Sequence, residues 1–341
     1  MVGGRKNLAE NESGFASIVI ALVLILVLSL LTVSFAKLAR REQQNALNKS
    51  LSLQAYYAAE SGVNDIYNKI KGNLITDTTS NVNTNTCLDP SLLENGGVVN
   101  GNTDVSYSCA LVHLELPALV FGSVGADTDH SITFTPDTDL GQGLTVSWGS
   151  TNGKSPASPS AGFLPATGGG SNWSYPAVLQ VSIVPLSAVD RASLTSKMYT
   201  AYLYPSSGGT NSTVYAVPEG QPPVVSGNCS ASGDYPCSVT FMGLTQQPYL
   251  IHIHTFYDES NISIGGKSSI GDTVNFIDGQ ALIDVTGKAK NVLKRIQVHV
   301  PYHQTATVPP AIEGQNICKQ FSTYPGFAEP SNASTDVNNC P

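Results

Sequence analysis

Between Ala16 and Ala36 the chain reads ASIVIALVLILVLSLLTVSFA, an unbroken run with no charge, proline or glycine. As a helix this run spans about 31 Å, against roughly 30 Å of bilayer hydrocarbon. A core helix so uniformly apolar is uncommon in a chain as rich in serine, threonine, asparagine and glycine as the remainder of this one. Membrane insertion is therefore expected. Arg5 and Lys6 precede the run and Lys37, Arg40 and Arg41 follow it, so a count of flanking basic residues does not place the C-terminal part outside. The cysteines and the composition of that part do.

The helical pattern continues past the run. Leu47, Leu51, Ala55, Ala59, Val63, Ile66 and Ile70 recur at spacings of three or four among polar residues, which predicts an amphipathic helix. No proline intervenes before Gly72-Asn73, a suitable helix end. The spacing predicts one rod over Phe15–Lys71, its first half facing lipid and its second half carrying an apolar stripe that must pack on something.

A short polar leader, then Gly14-Phe15, then an apolar helix running into an amphipathic one resembles a type IV prepilin, and AYYAAESGVNDI (Ala55 to Ile66) resembles the N-terminal region of PilX-like minor pilins. The resemblance implies a leader over residues 1–14, cut by prepilin peptidase after Gly14, with Phe15 as the methylated new N-terminus. It implies partners among other pilin subunits, the inner membrane before assembly, and a cell-surface filament after it. ALIDVTGKAKNVLKRIQVHVP (Ala281 to Pro301) resembles the closing β-hairpin of some pilin-like proteins. The sequence departs from the family at the fifth residue after the cut, where most pilins carry glutamate and this chain has Val19. The rival reading is a secretory signal cut after Ser34-Phe35-Ala36, although the apolar run exceeds the usual h-region of about 7–15 residues.

Beyond the helix the sign of the charge reverses. Up to Gly72 there are eight basic and five acidic residues, and from Asn73 onward nine basic and twenty acidic. An acidic domain disfavours nucleic acid as a partner. Only 12% of all residues are charged, with 31 glycines and 20 prolines, a balance that suits strands and turns. Alternating apolar runs at Val105–Leu114, Ser131–Thr135, Leu144–Trp148, Ala177–Val184, Met198–Tyr204, Ser238–Met242, Tyr249–Tyr257, Ala281–Val285 and Leu293–Val300 predict short strands. The fold class is thus α+β: the long helix over 15–72, then an antiparallel β-sandwich or jelly-roll-like external domain over 73–303. The Gly/Ser/Pro-rich gap at 149–175 is a loop or a boundary between two β subdomains. Residues 304–341 read as a C-terminal tail.

Six cysteines, Cys87, Cys109, Cys229, Cys237, Cys318 and Cys340, all follow the apolar run, and none has zinc-site spacing. Disulfides in an oxidising compartment are expected. Fifteen pairings are open to six cysteines; pairing of sequence neighbours is favoured here because it closes local loops.

Gly266-Lys267-Ser268 ends like a P-loop, but Asn261 stands where that motif needs glycine, so a turn is expected. His252 and His254 leave one face of a strand and with His299 or His303 could share a metal; a polar outer face over Ile251 and Ile253 is the plainer reading. Asp127, Asp129, Asp137 and Asp139 form two Asp-Thr-Asp groups, a calcium-like composition that also suits turns. Trp148 is expected in the core. Trp173 and Tyr175 in GGGSNWSYP are expected as mobile loop aromatics able to contact a ligand. Lys288, Lys290, Lys294 and Arg295 gather four of the nine basic residues beyond Gly72 at one hairpin end. Neither G-x-S-x-G nor H-E-x-x-H occurs. The expectation is a non-enzymatic bacterial minor pilin or pilin-like subunit without a cofactor, single-pass, displaying its β domain for adhesion to a host or neighbouring cell surface or for filament initiation. The alternative is a membrane-tethered adhesin or carbohydrate-binding protein outside any filament.

Overall fold

A computed structural model describes residues 12–154, 173–187, 197–207, 212–216, 223–230 and 233–302. Helix α1, Glu12–Lys71, runs without a break for 60 residues, about 90 Å. It begins three residues before Phe15, so Gly14-Phe15 lies inside the helix rather than at its start. Its end is built by Asn73, not Gly72. Asn73 adopts φ +55°, its N–H donates to the Ile70 carbonyl at 3.0 Å, and the Leu74 N–H donates to the Lys69 carbonyl at 2.8 Å. This is a Schellman stop, in which asparagine tolerates the left-handed conformation that satisfies two orphan carbonyls.

Among the described residues sixteen strands follow the helix. In chain order they are β1 (Val98–Val99), β2 (Asn102–His113), β3 (Ala118–Val124), β4 (Asp129–Pro136), β5 (Gly143–Ser150) and β6 (Val178–Pro185). Next come β7 (Tyr199–Ser207), β8 (Thr213–Tyr215), β9 (Val224–Cys229), β10 (Cys237–Met242) and β11 (Tyr249–Phe256). The last are β12 (Ser260–Lys267), β13 (Thr273–Val274), β14 (Phe276–Ile277), β15 (Gln280–Ala289) and β16 (Val292–Pro301). Two sheets result: β1-β2-β15-β16, and a 12-stranded sheet ordered β13-β12-β5-β10-β9-β7-β6-β11-β4-β14, with β3 on β12 and β8 on β10. The α+β class is as the sequence predicts. Two pairings, β7 with β9 and β8 with β10, are parallel and the others antiparallel.

The four-stranded sheet is what the apolar stripe of α1 packs on. Leu51, Ala55, Ala58, Ala59, Ile66 and Ile70 are buried, and the last three of these that touch the sheet join Ala110, Val112, Ile283 and Val285 in one cluster. The approach is close because the contacting residues are small. A Cβ on Gly62 would stand 2.7 Å from Val285 Cγ1 and Tyr107 Cγ, and one on Gly287 would stand 2.1 Å from the Ala55 carbonyl oxygen.

One carboxylate locks the interface. Asp65 Oδ2 accepts bonds from Lys69 Nζ at 2.8 Å, the Tyr107 hydroxyl at 2.8 Å and the Glu94 N–H at 3.0 Å. Burial pushes the Asp65 carboxyl up, but these donors together outweigh it and hold it below the ordinary carboxylate range. Burial and then the Asp65 carboxylate push the Tyr107 phenol upward, so it remains a donor. Asp65→Asn is expected to cost about 2 kcal/mol by leaving these donors poorly matched. Because the folded pKa is depressed, Asp65's contribution is present above about pH 4, the unfolded value, and is lost as pH falls through the lower folded value. Urea unfolding at pH 7 and in steps below pH 4 should show the gap between wild type and Asp65→Asn narrowing with acid.

The 12-stranded sheet encloses the second core. Its terminal strands β13 and β14 are separated by Asn275 alone, so the sheet must curl back on itself, and its inner side chains form one cluster. Trp148 is fully buried there as expected, with its indole N–H on the Ala177 carbonyl at 2.9 Å. Strands on both sides of the 149–175 gap belong to this one sheet. The chain passes between the two cores instead at Leu114–Leu116 and Asp278–Gly279. Gln280 splices the sheets there, its amide accepting from and donating to the Val120 backbone at 2.8 Å each way.

Candidate functional site

The first candidate is the uncovered half of α1. From Ile18 to Leu38 its large apolar side chains are all exposed. Ser17–Lys71 is the one helix among the described residues long and apolar enough to cross a membrane. The side chain of Phe15 lies outside the described residues.

The second lies on the outer face of β4, β11, β6 and β7. Strand β11 alternates buried and half-buried residues, so Ile251 and Ile253 enter the core while His252 and His254 face out, as the plainer reading expects. Register sets Asp129, His254, Gln180 and Tyr202 in one row across four strands, and Ser131, His252, Ser182 and Thr200 in the next. Asp129 Oδ1 lies 2.7 Å from His254 Nδ1 and 3.1 Å from His252 Nε2, while His252 Nδ1 meets Ser131 Oγ at 2.8 Å. Asp129, rather than a third histidine, is thus the shared neighbour of both imidazoles. His299 sits on β16 of the other sheet, and His303 lies outside the described residues. No three histidine, cysteine or carboxylate groups among the described residues are set to hold a metal.

Rings extend this face. His254 stands 4.3 Å from Phe256, Phe256 6.1 Å from Tyr257 and 6.4 Å from Tyr202, and Tyr257 4.9 Å from Trp173. Two distant sequence candidates, the histidine pair and Trp173-Tyr175, therefore belong to one strip. Trp173 itself corrects the sequence expectation: it is buried at 7% exposure, its N–H donating to the Pro176 carbonyl at 3.0 Å and its ring on Tyr175 at 5.2 Å. A ring so held is not a mobile contact; half-buried Tyr175 keeps part of its surface in solvent. Chemically the strip offers a carboxylate, imidazoles, amide and hydroxyls beside aromatic faces, groups that hydrogen-bond and stack on a polar partner.

The remaining candidates lie outside this strip. Asp137 accepts the Asn275 N–H at 3.1 Å, and Asp139 accepts those of Gly141 at 2.8 Å and Ser269 at 2.9 Å, so both carboxylates bond backbone of neighbouring segments. Gly266 and Lys267 close strand β12 rather than form a turn, and no helix follows. Gly266 is needed because a Cβ there would stand 2.6 Å from Leu140. Two disulfides join sequence neighbours, Cys87–Cys109 and Cys229–Cys237. The second links facing residues of β9 and β10. Cys318 and Cys340 lie outside the described residues. Arg295 is committed to Asp284, with Nε at 2.6 Å from Oδ1 and Nη2 on Oδ2, while Lys288, Lys290 and Lys294 are exposed around the β15–β16 turn.

Compared with known proteins, residues 13–64 match the PilX N-terminal family; they form a type IV pilin-like N-terminal region. No curated protein and no solved structure matches the chain.

Proposed function

We propose that the chain is a minor pilin or pilin-like subunit of a type IV filament, with a structural, non-enzymatic role. The observation that carries this reading is the coincidence of the family match at 13–64 with the helix whose first half is uncovered and whose second half docks on its own sheet. In this reading the uncovered half resides in the inner membrane after synthesis and exchanges lipid for the helices of other subunits on assembly. Prepilin peptidase removes residues 1–14, and the domain beyond Gly72 lies outside the membrane. The disulfides support that orientation, since an oxidising compartment favours them.

The strip running from Asp129 to Tyr175 supports display as a purpose. A tethered adhesin using the same face outside any filament is the second reading. The mature N-terminus discriminates processing routes: mass spectrometry of the purified chain is expected to find Phe15 first, N-methylated. A chain beginning at Lys37 would instead establish cleavage by signal peptidase and remove the anchor, ending the pilin reading.

A further inference from the structure

We propose that the β15–β16 turn is a docking surface for anionic lipid headgroups, which holds the external domain against the membrane from which it emerges. The inference rests on the membrane placement of α1 proposed above.

The packing fixes where this turn stands. Along β15, Val285 meets Gly62, Gly287 meets Ala55 and Ala59, and Ala289 packs with Leu51 and Ala55. The strand therefore descends α1 toward its N-terminus, and Lys290-Asn291 at its tip reaches the level of about Asn48. From Ala36, the end of the apolar run, to Asn48 is about 18 Å of helix. The headgroup layer takes up roughly 5–7 Å of this, leaving about 11–13 Å. The screening length at physiological salt is about 8 Å, and lysine carries its ammonium on a long flexible stem. A helix tilt of about 20°, average for membrane spans, lowers the domain further on the side toward which it leans.

The charge is of the sign this requires. Lys37, Arg40, Arg41 and Lys49 stud the exposed stem of α1, and Lys288, Lys290 and Lys294 surround the turn. Against them stand Glu42 on the stem and Asp104, whose carbonyl accepts the Lys290 N–H at 2.8 Å. The rest of the domain is acidic, so an anionic surface attracts this end and repels the remainder, which sets an orientation. Lys290 also adopts φ +53° in a two-residue turn between Ala289 and Val292, a place where asparagine or glycine is the unstrained choice. A lysine there accepts a strained backbone while presenting its ammonium at the tip of the turn.

The test places one full-length chain, with Asn291→Trp, in nanodiscs carrying dansylated headgroups, and reads energy transfer from the new indole after subtracting the signal of the unsubstituted chain. Discs rich in phosphatidylglycerol are expected to give at least twofold more transfer than phosphatidylcholine discs. The excess should vanish in 1 M salt, where screening shortens to about 3 Å, and in a chain also carrying Lys288→Gln, Lys290→Gln and Lys294→Gln. Equal transfer in both lipids, or an excess that survives the triple substitution, overturns the proposal. An excess that appears only with two chains per disc also overturns it, in favour of the acidic domain of a second copy as partner. A chain that does not enter discs of either lipid refutes the membrane placement itself, a different failure.

Discussion

Gly287→Val is expected to release the docked second half of α1 from the sheet and to lower stability by about 3 kcal/mol or more. At Gly287 even a methyl would stand 2.1 Å from the Ala55 carbonyl oxygen and 2.4 Å from the Ala59 nitrogen. Both are helix backbone, which no rotamer change can move. Overpacked cores lose about 1–3 kcal/mol when side chains can yield, and here the helix must lift as a body. Lifting it exposes Leu51, Ala55 and Ala289 and strains the Asp65 bonds one turn beyond Gly62. For a domain of this size the loss corresponds to a Tm lower by roughly 6–12 °C. Gly122→Ala is the matched control, since a Cβ there meets nothing within 4 Å. Thermal unfolding and limited proteolysis after Lys49 would compare them. A Gly287→Val chain melting with wild type would mean that the helix–sheet contact contributes little.

That contact explains what the sequence could and could not disclose. The stripe from Leu51 to Ile70 is legible because helical periodicity is local, and the end at Lys71 because Asn73 supplies the one conformation that stops a helix there. The partner of the stripe is not legible. It consists of the β15–β16 hairpin and β2, which lie about 170 residues apart, and the cue for the helix contact, Gly287 opposite Ala55, resembles any strand glycine until the fold is known. Strand β12 is illegible for a related reason. Its inward residues Ser260, Ile262, Ile264 and Gly266 alternate correctly, but serine and glycine dilute the apolar signal, and Gly266-Lys267-Ser268 reads locally as a turn.

The outer face shows the same division. That His252 and His254 share a side follows from the two-residue period of a strand. That they meet Asp129 follows only from the β4–β11 register, and that Phe256 leads from them toward Trp173 follows only from the chain's return beside β6. Glycine and serine around Trp173 suggested a free ring, whereas its N–H and its flat faces both find partners three residues or one strand away. Local composition describes what a segment can do alone and is overridden where burial satisfies it.

If the chain enters a filament, Val19 is expected to confine it to one end or to sparse positions along the shaft. In the pilins that its N-terminal region resembles, glutamate at this position pairs with the N-terminal amine of a neighbouring subunit. Here no acidic residue occurs between Ser13 and Arg41, so no nearby turn of the helix can supply the missing carboxylate. An unpaired ammonium in an apolar bundle costs several kcal/mol, and a shaft made of this chain alone would incur that cost at every subunit. A subunit that starts the filament has no earlier amine to neutralise, and an occasional one leaves a single amine to find water or headgroups. Val19→Glu is accordingly expected to raise incorporation along the shaft about tenfold or more, as a gain of even 1.4 kcal/mol per contact would. Immunogold counts on filaments from cells expressing each form read this directly. Dense shaft labelling by the unaltered chain, at the stoichiometry of a major subunit, would show that the missing carboxylate is not what limits its place in the filament.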